Sequence, residues 1–146
     1  METPSQDKKP LKKYKETKKT HDDKLKGQIS LIKELLSRID TLAKLKNDLA
    51  ALQDRRLSIQ EIQELDELSE LRNAHEDDLM WLESPGPAQP TSDEELESIA
   101  KQMSQAVVWR ERTCKDVQKN LEFIEKQITE VDAAINAIEA VEAANY

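Results

Sequence analysis

Two imidazole–carboxylate clusters, His21-Asp22-Asp23 and His75-Glu76-Asp77-Asp78, and one thiol, Cys114, are the residues whose types suit metal binding or catalysis. A metal site needs ligands that converge on one point, whereas neighbouring residues of a helix diverge by about 100°. Neither histidine has a second one four residues on. Both are therefore read as surface histidines, and no metal or cofactor is expected. Cys114 has no histidine close in sequence and no glycine-rich oxyanion loop, so it reads as a small apolar filler rather than a nucleophile. The chain contains no P-loop, GxGxxG, GxSxG or HExxH pattern. No enzymatic activity and no small-molecule substrate are expected.

Other residue types suit recognition instead. Trp81 stands just before a proline-rich break, while Trp109 and Phe123 lie fourteen residues apart on one helical row. Exposed aromatics of this kind anchor partner proteins, and tryptophan is favoured at binding hot spots. Lys8, Lys9, Lys12, Lys13, Lys15, Lys18 and Lys19 form a basic N-terminal stretch. Its core resembles a nuclear-import signal, and it could also meet phosphates or simply solubilise a tail. Arg55-Arg56-Leu57-Ser58 resembles a basophilic kinase site, and Thr3-Pro4 and Ser84-Pro85 resemble proline-directed ones.

The elements that position these residues follow from composition. The 146 residues include two Gly, one Cys and five aromatics (two Trp, two Tyr, one Phe), with 36% charged. Two glycines cannot supply the turns of a multi-strand sheet. Long helices rich in Leu, Ile, Glu and Lys remain, so the expected fold is all-α, a helical hairpin or coiled-coil bundle. No stretch is apolar enough to span a membrane. The unpaired Cys114 and the lack of an apolar leader favour an intracellular location, nuclear before cytoplasmic.

Along the chain, residues 1–19 are expected to be a disordered basic tail, because only Leu11 and Tyr14 there offer anything to bury. A helical arm follows over 20–83. Within it Leu25, Ile29, Ile32, Leu36 and Ile39 form one apolar set, and Leu31, Leu35, Leu42, Leu45, Leu49 and Leu52 a second. The combined stripe is too wide for a two-stranded seam and predicts contact with more than one helix. Ser58 and Glu61 have capping-box spacing, which marks either a restart near 54–58 or an irregularity in one helix. Beyond it Ile59, Ile62, Leu65, Leu68 and Leu71 recur every three residues, so their stripe drifts around the helix.

Residues 84–91, with three prolines and a glycine, form a turn. Thr91 with Glu94, or Ser92 with Glu95, then opens a long helix over 92–143. Its seam steps by four and three through Leu96, Ala100, Met103, Val107, Arg110, Cys114 and Val117, then Leu121, Ile124, Ile128, Val131, Ile135 and Ile138. Arg110 alone is polar. It either pairs with Glu64, Asp66 or Glu67 of a facing helix or lays its stem along the seam with its head in water. β-branched Val117, Ile124, Val131 and Ile138 at d disfavour a parallel two-stranded coil and suit antiparallel or higher-order packing.

The turn allows 58–83 to run back along 92–117, with 30–57 reaching 118–143, as one antiparallel hairpin. Charge opposes part of this pairing. Residues 58–83 hold nine acids and one base, a net −8, against a net −2 over 92–117 from six acids and four bases. Such an acidic tip faces either water or a basic partner.

The function expected is that of a non-enzymatic structural or adaptor subunit, a hetero- or homo-oligomer. It would bind partner helices through Leu121, Ile124, Ile128, Val131, Ile135 and Ile138, with Trp81, Trp109, Phe123 and Arg110 as further contacts. A nuclear nucleic-acid-associated factor contacting phosphates through the basic tail is the alternative. A cytoplasmic tethering or cytoskeletal rod is the third. The run Glu67-Leu68-Ser69-Glu70-Leu71-Arg72, with Glu94-Glu95-Leu96 and Trp109, is loosely similar to the distal coiled coil of the meiotic homologous-pairing heterodimer. That similarity implies a chromosomal role.

Overall fold

A row of residues seven apart, Tyr14, His21, Gln28, Leu35, Leu42 and Leu49, runs along the inner side of the first helix, and every member is buried or half-buried. Its companion row of Leu25, Ile32, Ile39 and Lys46 is likewise turned inward. In the computed structural model, which describes residues 9–83, 90 and 92–145, these rows organise three α-helices with no strand among the described residues. They are α1 (Lys9–Leu52), α2 (Ile59–Glu83) and α3 (Asp93–Ala144). Their 44, 25 and 52 residues correspond to about 66, 38 and 78 Å. The all-α bundle expected from composition is the fold.

Helix α1 begins earlier than the apolar pattern suggested. Residues 9–19, expected to be disordered, are its first three turns. Tyr14 is buried and extends the heptad row by two positions, which gives the lysine-rich turns something to pack. Lysine is also a good helix former once an anchor exists. Lys8, Thr3-Pro4, Ser84-Pro85 and most of the turn at 84–91 lie outside the described residues.

The break near 54–58 is a helix end followed by a restart. Asp54 takes a left-handed conformation (φ 51°). The Arg55 N–H donates to Ala50 O at 3.1 Å and the Asp54 N–H to Ala51 O at 3.0 Å. These bonds form a Schellman closure with Asp in the place usually taken by Gly. Ser58 and Glu61 then form both halves of the capping box, each N–H···O bond being 3.1 Å long. Arg55 clamps Glu61 from behind at 2.5 and 3.1 Å. That clamp, with the Ser58 amide, holds the Glu61 carboxyl down to about 2. The second box resolves on Ser92, whose hydroxyl accepts from the Glu95 N–H.

The directions of packing differ from the expected hairpin. Helix α2 folds back antiparallel on α1, tied by Lys46–Glu64 (2.6 Å), Arg72–Asp40 (2.8 Å) and Lys33–Glu83 (3.0 Å). Helix α3 runs parallel to α1 in a single register, marked by Lys24–Glu111 and, fourteen residues further along both helices, Arg38–Glu125 (3.7 Å). Residues 30–57 do lie beside 118–143, but the two stretches point the same way. The backbones of α2 and α3 nowhere come close to each other, because both lie on α1. Electrostatics favours this outcome over the expected one. The acidic α2 rests on a stretch of α1, residues 33–52, with four bases and three acids rather than on the acidic start of α3.

The core is aliphatic and three-sided. Ile32, Leu35, Ile39 and Leu42 of α1 meet Leu68 of α2 and Val117 and Ile124 of α3. Leu65, Leu71, Leu79, Leu121, Ile128 and Val131 pack around them. Burial of each large aliphatic side chain contributes about 1.5–3 kcal/mol. Members of both apolar sets of α1 take part in this core. The drifting stripe of α2 leaves Ile59 and Ile62 exposed before its later residues turn inward.

A candidate interaction surface where the helices diverge

Near the end of α2 the bundle opens into a cavity of about 370 Å³, lined among the described residues by Gln28 and Ile32, Asp78, Trp81 and Leu82, and Trp109, Arg110, Thr113, Cys114 and Val117. All three helices contribute. The position follows from the local sequence of α1, whose inner row changes from Leu42 and Leu35 to Gln28 and His21. Shorter or polar side chains there fill less of the seam.

At the rim stand two tryptophans. Trp81 is 81% exposed and Trp109 66%, with Phe123 at 60% two heptads further along α3. All three stay on the surface, as their positions in the helical repeat require. Trp109 and Phe123 share position c; Trp109 lines the cavity with Trp81, and Phe123 continues the same row beyond it. Val108 and Met80 are exposed as well, each about 100° around its helix from the neighbouring tryptophan.

Polar groups at the floor are held unequally. Arg110 is paired, but not with Glu64, Asp66 or Glu67. Its Nη1 donates to His21 Nε2 at 2.8 Å. A guanidinium can only donate, so His21 accepts there and its Nδ1–H points to Asp22 Oδ1 at 3.2 Å. Burial raises the Asp22 carboxyl, but hydrogen bonds from Lys18 and His21 outweigh it and hold the group below its ordinary value. Glu64 instead ties α2 to Lys46. The parallel register explains the correction, because it places Arg110 beside the start of α1 and far from residues 64–67.

Gln28 is 7% exposed and its Oε1 has no hydrogen-bond partner. His75 departs from the surface reading as well. It is 8% exposed, its Nδ1 also without a hydrogen bond, with Asp78 at 3.7 Å. The signal for His75 was present in the sequence: Leu68, His75 and Leu82 are seven residues apart, as are Leu65, Arg72 and Leu79. A three-residue rhythm in the preceding turns masked that row.

Cys114 is half-buried on the α3 seam. Burial, and then the Glu111 carboxylate, push its thiol up from the ordinary range. That favours the protonated form, the reverse of what an attacking thiolate requires. Among the described residues no three His, Cys, Asp or Glu side chains are placed to share a metal ion. No described helix is long and apolar enough to cross a membrane.

The seam residues expected to bind partner helices face inward within this chain. Leu121, Ile124, Ile128 and Val131 pack in the core, Ile135 is buried and Ile138 half-buried. The chain's own α1 fills the place foreseen for a partner. Of the basic stretch, Lys12, Lys13, Lys15, Lys18 and Lys19 are exposed along the first turns of α1. Lys18 pairs with Asp22 at 3.0 Å. Lys12 and Lys13 border an open groove against Glu97, Ala100 and Lys101.

No protein-family model, curated protein or solved structure matches the chain. The geometry therefore carries the functional argument alone.

Proposed function

We propose that this chain is a non-enzymatic helical adaptor, a subunit that assembles with other helical proteins through the aromatic rim of Trp81, Trp109 and Phe123. The observation that carries this reading is the contrast in burial along α3. Its long apolar seam is closed by α1 and α2, yet its two large outer aromatics remain in water with Trp81 opposite. Leaving three large aromatic side chains exposed on one rim is costly for solubility unless a surface covers them. A rod of paired helices offers area for contacts and little enclosed volume for a reaction.

The test is site-specific photo-crosslinking in cells from position 109 or 123, with Lys126, on a neighbouring outer position, as the control site. Discrete crosslinked species from 109 and 123 and none from 126 are expected. Absence of crosslinks at all three positions excludes the adaptor reading.

A second reading, a nucleic-acid-associated factor, draws on the exposed lysines of the first α1 turns. It requires DNA or RNA binding that weakens steeply with salt and disappears when residues 1–19 are removed.

A further inference from the structure

We propose that the groove between α2 and α3 receives a basic amphipathic α-helix from another protein, completing a four-helix bundle. This deepens the adaptor reading and rests on it. The groove exists because α2 and α3 both lie on α1 without approaching each other. Four-helix bundles close such a gap with a helix that touches both flanks. From Trp109 to Phe123 the outer row of α3 runs fourteen residues, roughly 21 Å, which a helix of about four turns spans.

Two features define the occupant's chemistry. Gln28 lines the cavity with its Oε1 unpartnered and its side chain almost fully buried. A buried acceptor without a donor is unfavourable, and turning the amide toward the cavity lets an arriving N–H or O–H satisfy it. The rest of the lining near the two tryptophans accepts one large aliphatic or aromatic side chain.

Charge supplies the second feature. Stepping by three and four along α2 from Trp81 gives Asp78, Ala74, Leu71 and Glu67, one row on one side of the helix. The matching row of α3 runs Trp109, Asp116, Phe123 and Glu130 at position c. Every charged residue in the two rows is acidic. Among the described residues Arg110 is the one base lining the cavity, and it is directed to His21. The remaining bases of this part of α3 lie off these rows, Arg112, Lys119 and Lys126 at the neighbouring outer position f and Lys115 at b. Lysines or arginines beside the apolar stripe of the incoming helix complement these rows, and acids there are repelled. A second copy of this chain is a poor occupant, since it carries a net charge of −8 and keeps Tyr14 of its own basic stretch buried.

The test uses the full chain and a tryptophan-free peptide of about 18 residues, leucines at helical spacing and lysines elsewhere, beside its lysine-to-glutamate counterpart. Trp81 and Trp109 are the chain's two tryptophans, so their emission reports on the groove alone. Saturable one-to-one binding of the basic peptide with a blue shift is expected, and none by the acidic peptide. Trp109→Ala is expected to weaken binding roughly tenfold or more. Asp78→Lys with Asp116→Lys should weaken it further as salt is lowered. Gln28→Leu should lose affinity several-fold while thermal unfolding stays the same or rises, which separates recognition from folding.

Equal binding of both peptides, or an affinity unchanged in the Trp109→Ala and charge-reversed variants, overturns the basic-helix assignment. Crosslinks from positions 109 and 123 would still stand in that case, so failure here is distinguishable from failure of the adaptor reading. Lack of saturable binding overturns the assignment too. So does a dimer of the chain alone whose tryptophan emission shifts blue with concentration, because the second copy would then be the occupant.

Discussion

The two halves of the rod are built from the same pair of helices yet are packed differently. In the upper half Ile32, Leu35, Ile39 and Leu42 of α1 face Val117, Leu121, Ile124 and Ile128 of α3, and α2 closes the third side. In the lower half Tyr14 and His21 share the seam with Ala100, Met103, Val107 and Arg110, and Gln28 and Cys114 mark the boundary, at the cavity that the end of α2 still borders. The first is a large-aliphatic core shielded from three directions. The second is a two-helix seam of small, polar or half-exposed residues. The difference teaches that heptad regularity in α3, unbroken from Leu96 to Ile138, does not by itself set stability. What each position meets across the seam does.

Truncation in the upper core is the strongest way to test this contrast. Leu35→Ala, at a fully buried site, should cost about 3 kcal/mol in urea unfolding. Met103→Ala, half-buried in the lower seam, should cost less than half as much. Equal losses would erase the distinction between the halves.

Polar-to-apolar replacements sharpen it from the other side. Gln28→Leu should raise stability by about 1 kcal/mol by removing an unpartnered buried acceptor. Arg110→Leu should leave stability unchanged or slightly higher, since buried polar pairs rarely outperform well-packed aliphatics. A clear loss in Arg110→Leu would show that its contact with His21 holds the lower seam together.

At the corner joining α1 to α2, Ser58→Ala should cost about 1 kcal/mol. Glu61 adds a pH dependence there. Its folded carboxyl is held at about 2, below its ordinary value of 4.5, so its contribution is present above the higher value. It is lost as pH falls from the higher value toward the lower. Amide exchange at Ser58 and Glu61 should therefore quicken over that acidic range, and Arg55→Ala should abolish the effect. The smallest change is expected for Lys24 and Glu111. Both are about half exposed, and a double-mutant cycle should give a coupling close to zero.

Much of this architecture was legible in the residues. Two glycines, the four-and-three rhythm of α3 and the double stripe of α1 dictate long helices with α1 in the middle, because burial must follow helical periodicity. The caps at Ser58 and Ser92 were readable as well, since capping is local chemistry. The outward positions of Trp109 and Phe123 follow from their place in the repeat. His75 and Tyr14 were missed for an identifiable reason. Each sits in a heptad row whose neighbours are polar or out of rhythm, and a single buried side chain leaves little trace in an apolar pattern.

The direction of α3 and the partner of Arg110 were not written in any one segment. A heptad seam presents nearly the same apolar face to a parallel as to an antiparallel neighbour, so periodicity is blind to the choice. Sequence determined that long amphipathic helices form, which capping boxes could open them, and which side of each must leave water. Only the assembled bundle decided that the acidic helix would lie on the basic one, displacing α3 to the other flank and opening a groove between them. Long-range charge and the simultaneous burial of three faces are properties of the whole arrangement, and no single helix carries them alone.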